Sequence, residues 1–256
     1  VQLPQGPLLL EALILRAFYN YKLIADVHTG FLMKWEWKSL ILNLPFKAFL
    51  KKCDLIVIHN KKMSELLPEG ANEKTLVVYD PWHLIEPFPK NIQNEKYIVF
   101  PASYHPDEPL REVLEAVKNL CPNVKLKVTG DWRRCQDLKK YESEKISFTD
   151  FLTKEKYDSL IANSSGIISG TKKEYTALMS AWEAIAYSKP LAINETETLR
   201  ECYDSYPIFY DLRNEKSIAD AVNNLALISP DVNVRNILLS STIDSINKLK
   251  LMLREL

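Results

Sequence analysis

The stretch KEYTALMSAWEAIAYSKPLAIN, residues 173–194, carries one acid, Glu183, in its apolar middle, with Glu174 at its start. With Thr176 as the helix cap, Leu178, Ala181, Trp182 and Ile185 fall at i, i+3, i+4 and i+7 and make one apolar stripe. Glu183 lies on another face, and its neighbours one turn away, Met179 and Tyr187, give it no basic partner of the usual surface kind. Upstream, the strand-like GIISG passes through TKKEYT into this helix. That order places backbone N–H groups and two lysines where α/β proteins bind phosphate. A carboxylate two turns on, about 10 Å away, is placed to accept hydrogen bonds from the ribose of a nucleotide diphosphate. A solvated helix glutamate behind an ordinary lysine-rich loop satisfies the same spacing.

Further groups sit at predicted strand ends. LIADVHTGFL breaks at Gly30 and leaves Asp26, His28 and Thr29 at the carboxyl end of its strand. A histidine beside an aspartate can deprotonate a hydroxyl or steady a leaving phosphate near neutral pH; a strand-end histidine bonded to backbone reads equally well. VTGDWRR ends a strand at Gly130 and brings Arg133 or Arg134 within reach of a diphosphate through charge-assisted bonds. The alternative is two surface charges opening the next helix. In FLMKWEWKSLILNLPFKAFLKK, Trp35 and Trp37 alternate with Lys34, Lys38, Lys47, Lys51 and Lys52. Such a face can lie on an anionic lipid surface, or the aromatics can pack inside while the lysines stay solvated. His59, His83 and His105 fall in no ligand spacing with acids, so no metal is expected.

These groups need a scaffold, and the chain supplies an alternating one. Strand-like runs at 22–28, 54–60, 75–80, 96–102, 124–130, 145–151, 166–170, 190–194 and 207–211 alternate with helical segments, including 8–20, 38–52, 61–67, 108–120, 153–163, 176–188 and 233–255. That is the pattern of parallel sheets covered by helices, an α/β fold. Three prolines within DPWHLIEPFPKNIQNE mark a linker. The expected organisation is a partial N-terminal domain over 1–80, a linker over 81–95, a second α/β domain over 96–228, and a helix over 229–256 that packs back on the first domain. Only three strands precede the linker, and the opening VQLPQGPLLLEA reads as an apolar helix already under way, so the first domain looks truncated. The 33 basic and 33 acidic residues of the 256-residue chain give no bulk field for nucleic acid. Four scattered cysteines form no C-x-x-C pair, which suits a reducing cytoplasm. PLLLEALILRAF is interrupted by Glu11 and Arg16 and fits neither a signal peptide nor a membrane span.

The order DEPLREVLEAV, VKLKVTGDWRR, ISFTDFLTKEKYDSLIANSSGIISGTKKEYTALMSAWEAIAYSKPLAINETETLREC resembles the donor-binding domain of group 1 glycosyltransferases of the GT-B fold. The likeness spans about residues 96–212 and is nearest to polysaccharide-type and lipid-linked-glycan mannosyltransferase-like members, with Asp107 and Glu108 ahead of the first helix. It implies two Rossmann-like doubly wound domains facing a cleft, and hexosyl transfer from a nucleotide diphosphate sugar to a glycan or lipid-linked acceptor. Neither cofactor nor metal is implied, and the place of action is cytoplasmic or membrane-peripheral. In such enzymes two acids flank the loop and helix. The ribose-binding one matches Glu183; the other falls eight positions earlier, at Tyr175, with Glu174 one place farther back. Thr176 and Ser180 belong to the same donor-binding stretch, and relatives carry glycine where Ser180 and Ser188 stand. Gly130 with Arg133 and Arg134, and Arg111, correspond to the diphosphate side; His28, assisted by Asp26, is the catalytic candidate. A serine in place of glycine narrows the approach of a pyrophosphate to the backbone. That departure and the displaced first acid support a second reading, a noncatalytic sugar-nucleotide-binding or partner subunit. A nucleotide-sugar epimerase on the same fold is a third.

Overall fold

Short runs of Val, Ile and Leu between turn residues become strands buried on both faces, as parallel sheets require. Every residue of β3 (Leu55–Ile58), β8 (Gly166–Ser169) and β9 (Leu191–Asn194) is buried. The computed structural model describes residues 1–3, 6–33, 41–87 and 96–256. It divides into two units: Val1–Asp80 with Tyr175–Ala177 and Ser240–Leu256, and Pro81–Glu174 with Leu178–Leu239.

The first unit carries a parallel sheet in the order β1-β2-β3-β4, with β1 Gln2–Leu3, β2 Ile24–Val27 and β4 Thr75–Val77. Among the described residues four strands stand where three were expected. The extra one is β1, in the opening read as helix: two residues are too short for any period, and the parallel register Gln2 with Asp26 makes the strand. The helix Gly6–Arg16 follows, burying Leu9 and Ala12. The helix expected over 38–52 is replaced, in its described part, by Leu44–Lys47, with Pro45 in its first turn, and a tight 3-10 turn, Ala48–Lys52. The segment at 61–67 is likewise a 3-10 turn, Lys61–Leu66. Ile246, Leu249 and Met252 of the long helix Val232–Glu255 pack on Leu55, Val57 and Val78. Ile237 and Leu253 of the same helix are exposed.

The second unit is a six-stranded parallel sheet in the order β10-β9-β8-β5-β6-β7, with β5 Ile98–Phe100, β6 Leu126–Val128, β7 Ile146–Phe148 and β10 Ile208–Tyr210. The order reverses between β5 and β8, which makes the sheet doubly wound in the Rossmann manner. Helices Leu110–Leu120 and Glu215–Leu225 cover one core, around Phe100, Val113, Val117, Ile168 and Val222. Trp82, placed in the expected linker, is buried in this unit, its ring stacked 6.1 Å from that of Trp182. Residues 88–95 of the expected linker lie outside the described residues. So do Lys34, Trp35, Trp37 and Lys38 of the expected lipid-facing stretch.

The helix expected at 176–188 runs Met179–Ala186. Thr176 is therefore not its cap. Tyr175 takes a left-handed φ of 64° and Leu178 is extended. The Tyr203 hydroxyl accepts from Leu178 N at 2.6 Å and donates to Leu178 O at 2.7 Å, so those groups serve a tertiary contact before the helix begins. The apolar stripe survives in Ala181, Trp182 and Ile185, all buried. At the other end, buried Lys189 donates to the carbonyls of Ala162 and Ser164, which fixes the turn into Pro190 and β9.

Candidate functional site

A doubly wound sheet binds ligands beyond the carboxyl ends of its strands where their order reverses, here between β5 and β8. The loops leaving those two strands are tied together. Lys172 N donates to Asp107 O at 2.7 Å, Thr171 Oγ1 lies 3.4 Å from Asp107 Oδ2, and Lys173 Nζ lies 3.8 Å from the same oxygen. Lys172 Nζ pairs with Glu112 at 2.6 Å. Both lysines expected to meet an anion thus already face an acid. Glu108 accepts from Ser103 N, Ser103 Oγ and Tyr104 N and holds its own loop. Gly170 lets the β8 loop pass close by, because a Cβ there would lie 2.4 Å from Asn194 Oδ1; Asn194 exchanges hydrogen bonds with Thr171 at 2.8 and 2.9 Å.

Glu183 is half-buried rather than solvated. Tyr157, from the helix Lys154–Asn163, donates its hydroxyl to Glu183 Oε2 at 2.5 Å. Burial raises the Glu183 pKa above the ordinary carboxylate range, and the Tyr157 hydrogen bond only partly opposes it. Glu183 lies four residues into the helix, about 6 Å from its start at 1.5 Å per residue, closer than the 10 Å expected from a cap at Thr176. The rest of the expected set is dispersed. Ser180 Oγ bonds Ser169 Oγ at 2.7 Å and stitches helix to β8. Glu174 accepts from Thr198 N at 2.7 Å and from the Thr198 hydroxyl, serving a first-turn N–H of the helix Glu197–Tyr203, whose cap is Thr196. Tyr175 and Thr176 belong to the first unit. There the Tyr175 carbonyl accepts from Thr29 Oγ1 at 3.1 Å and Asn60 Nδ2 at 3.0 Å, and its ring packs on the Leu9–Phe31 core.

Of the arginines, Arg133 bridges Asp131 at 3.0 Å and Asp150 at 2.7 Å, and Arg111 pairs with Asp137. Arg134 reaches Ser103 O at 3.4 Å, on the loop after β5, which puts it beside the strand-order reversal. Gly130 has φ 88°, and a Cβ there would lie 2.1 Å from Ala102 O, so the end of β6 passes directly against the end of β5. A recess of about 260 Å³ lined by Thr171, Lys172, Asn194, Thr196, Asp211 and Arg213 lies beyond β8 to β10; of the residues expected to meet the donor it holds Lys172.

In the first unit, β2 and β3 run side by side with Asp26 opposite Val57, so their carboxyl ends bring His28 and His59 together. Their rings stack at 4.6 Å. His59 Nε2 lies 2.8 Å from Asp26 Oδ1, His28 Nε2 lies 3.5 Å from Asp26 Oδ2, and the Gln2 amide approaches His28 Nε2 at 3.0 Å. The hydrogen bond from His59 holds the Asp26 carboxyl below its ordinary range. Burial pulls the His59 imidazole down, but the bond and charge of Asp26 outweigh it and raise its pKa. His59 is the residue that sequence reasoning set aside, as standing in no ligand spacing. The available signal was that LIADVH and DLIVIH both run from an apolar strand into a histidine, and those strands pair in parallel.

Neither a protein-family model nor a curated protein matches the chain. Solved structures do. HepE from Anabaena, in complex with UDP and glucose, is similar with a TM-score of 0.77 at 12% identity, over 98% of this chain and 76% of HepE. The sucrose-phosphate synthase of Thermosynechococcus elongatus is similar with a TM-score of 0.73 at 13% identity, over 96% and 71%. The lipopolysaccharide outer core galactosyltransferase WaaB, in its apo form, has a TM-score of 0.62 at 11% identity, over 89% and 66%. Two parallel sheets with alternating helices, matched over nearly the whole chain by these structures, give the protein the GT-B fold.

Proposed function

We propose that the chain is a glycosyltransferase that moves a hexose from a nucleotide diphosphate sugar to an acceptor hydroxyl in glycan or polysaccharide synthesis. The observation that carries this reading is Glu183, an acid held half-buried by Tyr157 on the helix that follows β8, beside the strand-order reversal. UDP and UDP-glucose are bound by HepE, a neighbour of the same fold. Glu183 accepts from the ribose hydroxyls, and the first turn of its helix faces the diphosphate. Transfer builds negative charge on that leaving group, which the helix start and Arg134 stabilise. His28, with Asp26 orienting it, takes the proton of the acceptor hydroxyl.

A lipid-linked acceptor at a membrane surface fits the first unit's exposed Ile14, Leu15, Phe18 and Tyr19 and the lysines at 47, 51 and 52. No described helix is long and apolar enough to cross a membrane. The second reading, a noncatalytic sugar-nucleotide-binding subunit, is favoured by the engagement of Ser180 with Ser169 and of Glu174 with Thr198.

A thermal-shift screen against UDP, GDP, ADP and their sugars, followed by transfer assays, separates the two, since a ligand of the folded state raises the melting temperature. Binding with transfer supports the enzyme. Binding without transfer to any acceptor supports the subunit, and no stabilisation by any nucleotide overturns both.

A further inference from the structure

Glycosyl transfer as proposed above uses Asp26 and His28 of the first unit and gives no role to His59, which stands against both. We propose that Asp26, His28 and His59 form a divalent-cation site, two imidazoles and one carboxylate, of the kind that takes Zn²⁺ or Co²⁺. One donor atom from each residue lies within 4.8 Å of the others. The closest pairs are 2.8 Å, between His59 Nε2 and Asp26 Oδ1, and 3.5 Å, between His28 Nε2 and Asp26 Oδ2. A tetrahedral ion with bonds of about 2.0–2.1 Å needs its ligand atoms about 3.3 Å apart, which falls inside that range. Those two separations differ from it by about half an ångström or less, within the freedom of side-chain torsions.

Three features favour an ion over a plain Asp–His pair. A hydrogen-bonded pair uses one imidazole; here a second is stacked on the first with its Nε2 toward the other carboxylate oxygen. A carboxylate also stands on the outer side of His59, as it does behind many metal-ligating imidazoles: the Nδ1 atom, buried with no hydrogen-bond partner among the described residues, lies 3.9 Å from Asp80 Oδ1. Finally, the cluster is open. The His28 side chain is 43% exposed and that of Asp26 36%, which leaves a way in and a coordination position for water or a hydroxyl. Gln2, 3.0 Å from His28 Nε2, must swing aside or turn its amide oxygen inward. Because all three ligands stand at the ends of adjacent hydrogen-bonded strands, the sheet rather than a loop sets their spacing. Two imidazoles select a borderline transition ion over Mg²⁺ or Ca²⁺, which take oxygen ligands.

This inference stands apart from the glycosyltransferase reading, because it concerns binding of the ion alone. The two intersect at His28: an ion on its Nε2 leaves the ring proton on Nδ1 and no lone pair for the acceptor hydroxyl, so the metal-bound and base-competent states exclude each other.

The test uses the full chain without an affinity tag, stripped with chelator. Zn²⁺ is titrated against a competing colorimetric indicator, and Co²⁺ is followed by its visible absorption. One equivalent of Zn²⁺ is expected to bind, with at least tenfold loss in Asp26→Asn, His28→Gln and His59→Ala and none in His105→Ala. Co²⁺ is expected to show the intense bands of a four-coordinate site without thiolate charge transfer. Melting curves check that each variant folds; His28→Gln, at the most exposed ligand, is the safeguard if the others do not. Equal Zn²⁺ affinity in wild type and folded His28→Gln, no stoichiometric binding, or a thiolate-dominated Co²⁺ spectrum would overturn the proposal.

Discussion

Glu183 shows how far a residue's environment departs from its neighbours in sequence. Its lack of a basic partner one turn away was legible from spacing, whereas its real partner, Tyr157, lies 26 residues upstream on another helix. Glu183→Ala is expected to weaken nucleotide binding by about 1–3 kcal/mol, the scale of hydrogen bonds to a charged group, as read by calorimetry; unchanged affinity would remove the ribose role. The raised pKa adds a pH signature. Between the ordinary carboxylate range and the raised folded value, the native state holds more protons than the unfolded one, so this group's contribution to stability falls as pH rises through that window. Nucleotide affinity runs the other way, because the ionised acceptor is lost as pH drops through the folded pKa. Both slopes are expected to flatten in Glu183→Gln, in pH-dependent melts and titrations respectively. For His28→Ala, turnover in a transfer assay should fall 10²–10⁴-fold with donor affinity nearly unchanged; full activity would exclude His28 as the base.

At the scale of elements, the existence of strands was more legible than the ends of helices. A strand buried on both faces must be apolar along its whole length, so GIISG, PLAIN and DLIVIHN announced themselves. The start of the helix carrying Glu183 did not, because Tyr203, 25 residues after Leu178, decides it by bonding Leu178 on both sides. Glu174 and Ser180 read as ligand groups for the same reason: their structural partners, Thr198 and Ser169, are distant in sequence. Strand ends are also where backbone shape is exacting. Gly130→Ala places a Cβ on Ala102 O at a left-handed φ. It should cost about 1–3 kcal/mol for the conformation alone, with the overlap adding to it. Chemical denaturation checks this; a midpoint equal to wild type would show that the β5 and β6 ends can separate freely.

Across the whole molecule, residues far apart in the chain complete each unit. The first unit draws on Ser240–Leu256 and Tyr175–Ala177 as well as on its opening eighty residues. Ile246, Leu249 and Met252 cover Leu55, Val57 and Val78, one face of the sheet that carries Asp26, His28 and His59. Leu249 is half-buried, so Leu249→Ala should lower stability by about 1–3 kcal/mol. An unshifted denaturation midpoint would mean that this helix face contributes nothing to the unit.

By itself the sequence determined the α/β class, the parallel strands and the likeness to GT-B donor domains, because both-face burial and helical period leave their mark on consecutive residues. Only the tertiary structure joined His59 to Asp26, 33 residues apart, set Tyr157 on Glu183, and made a strand of Gln2 and Leu3. Those pairings follow from which strands lie side by side and in what register, a choice made by the packing of whole elements that no local pattern records.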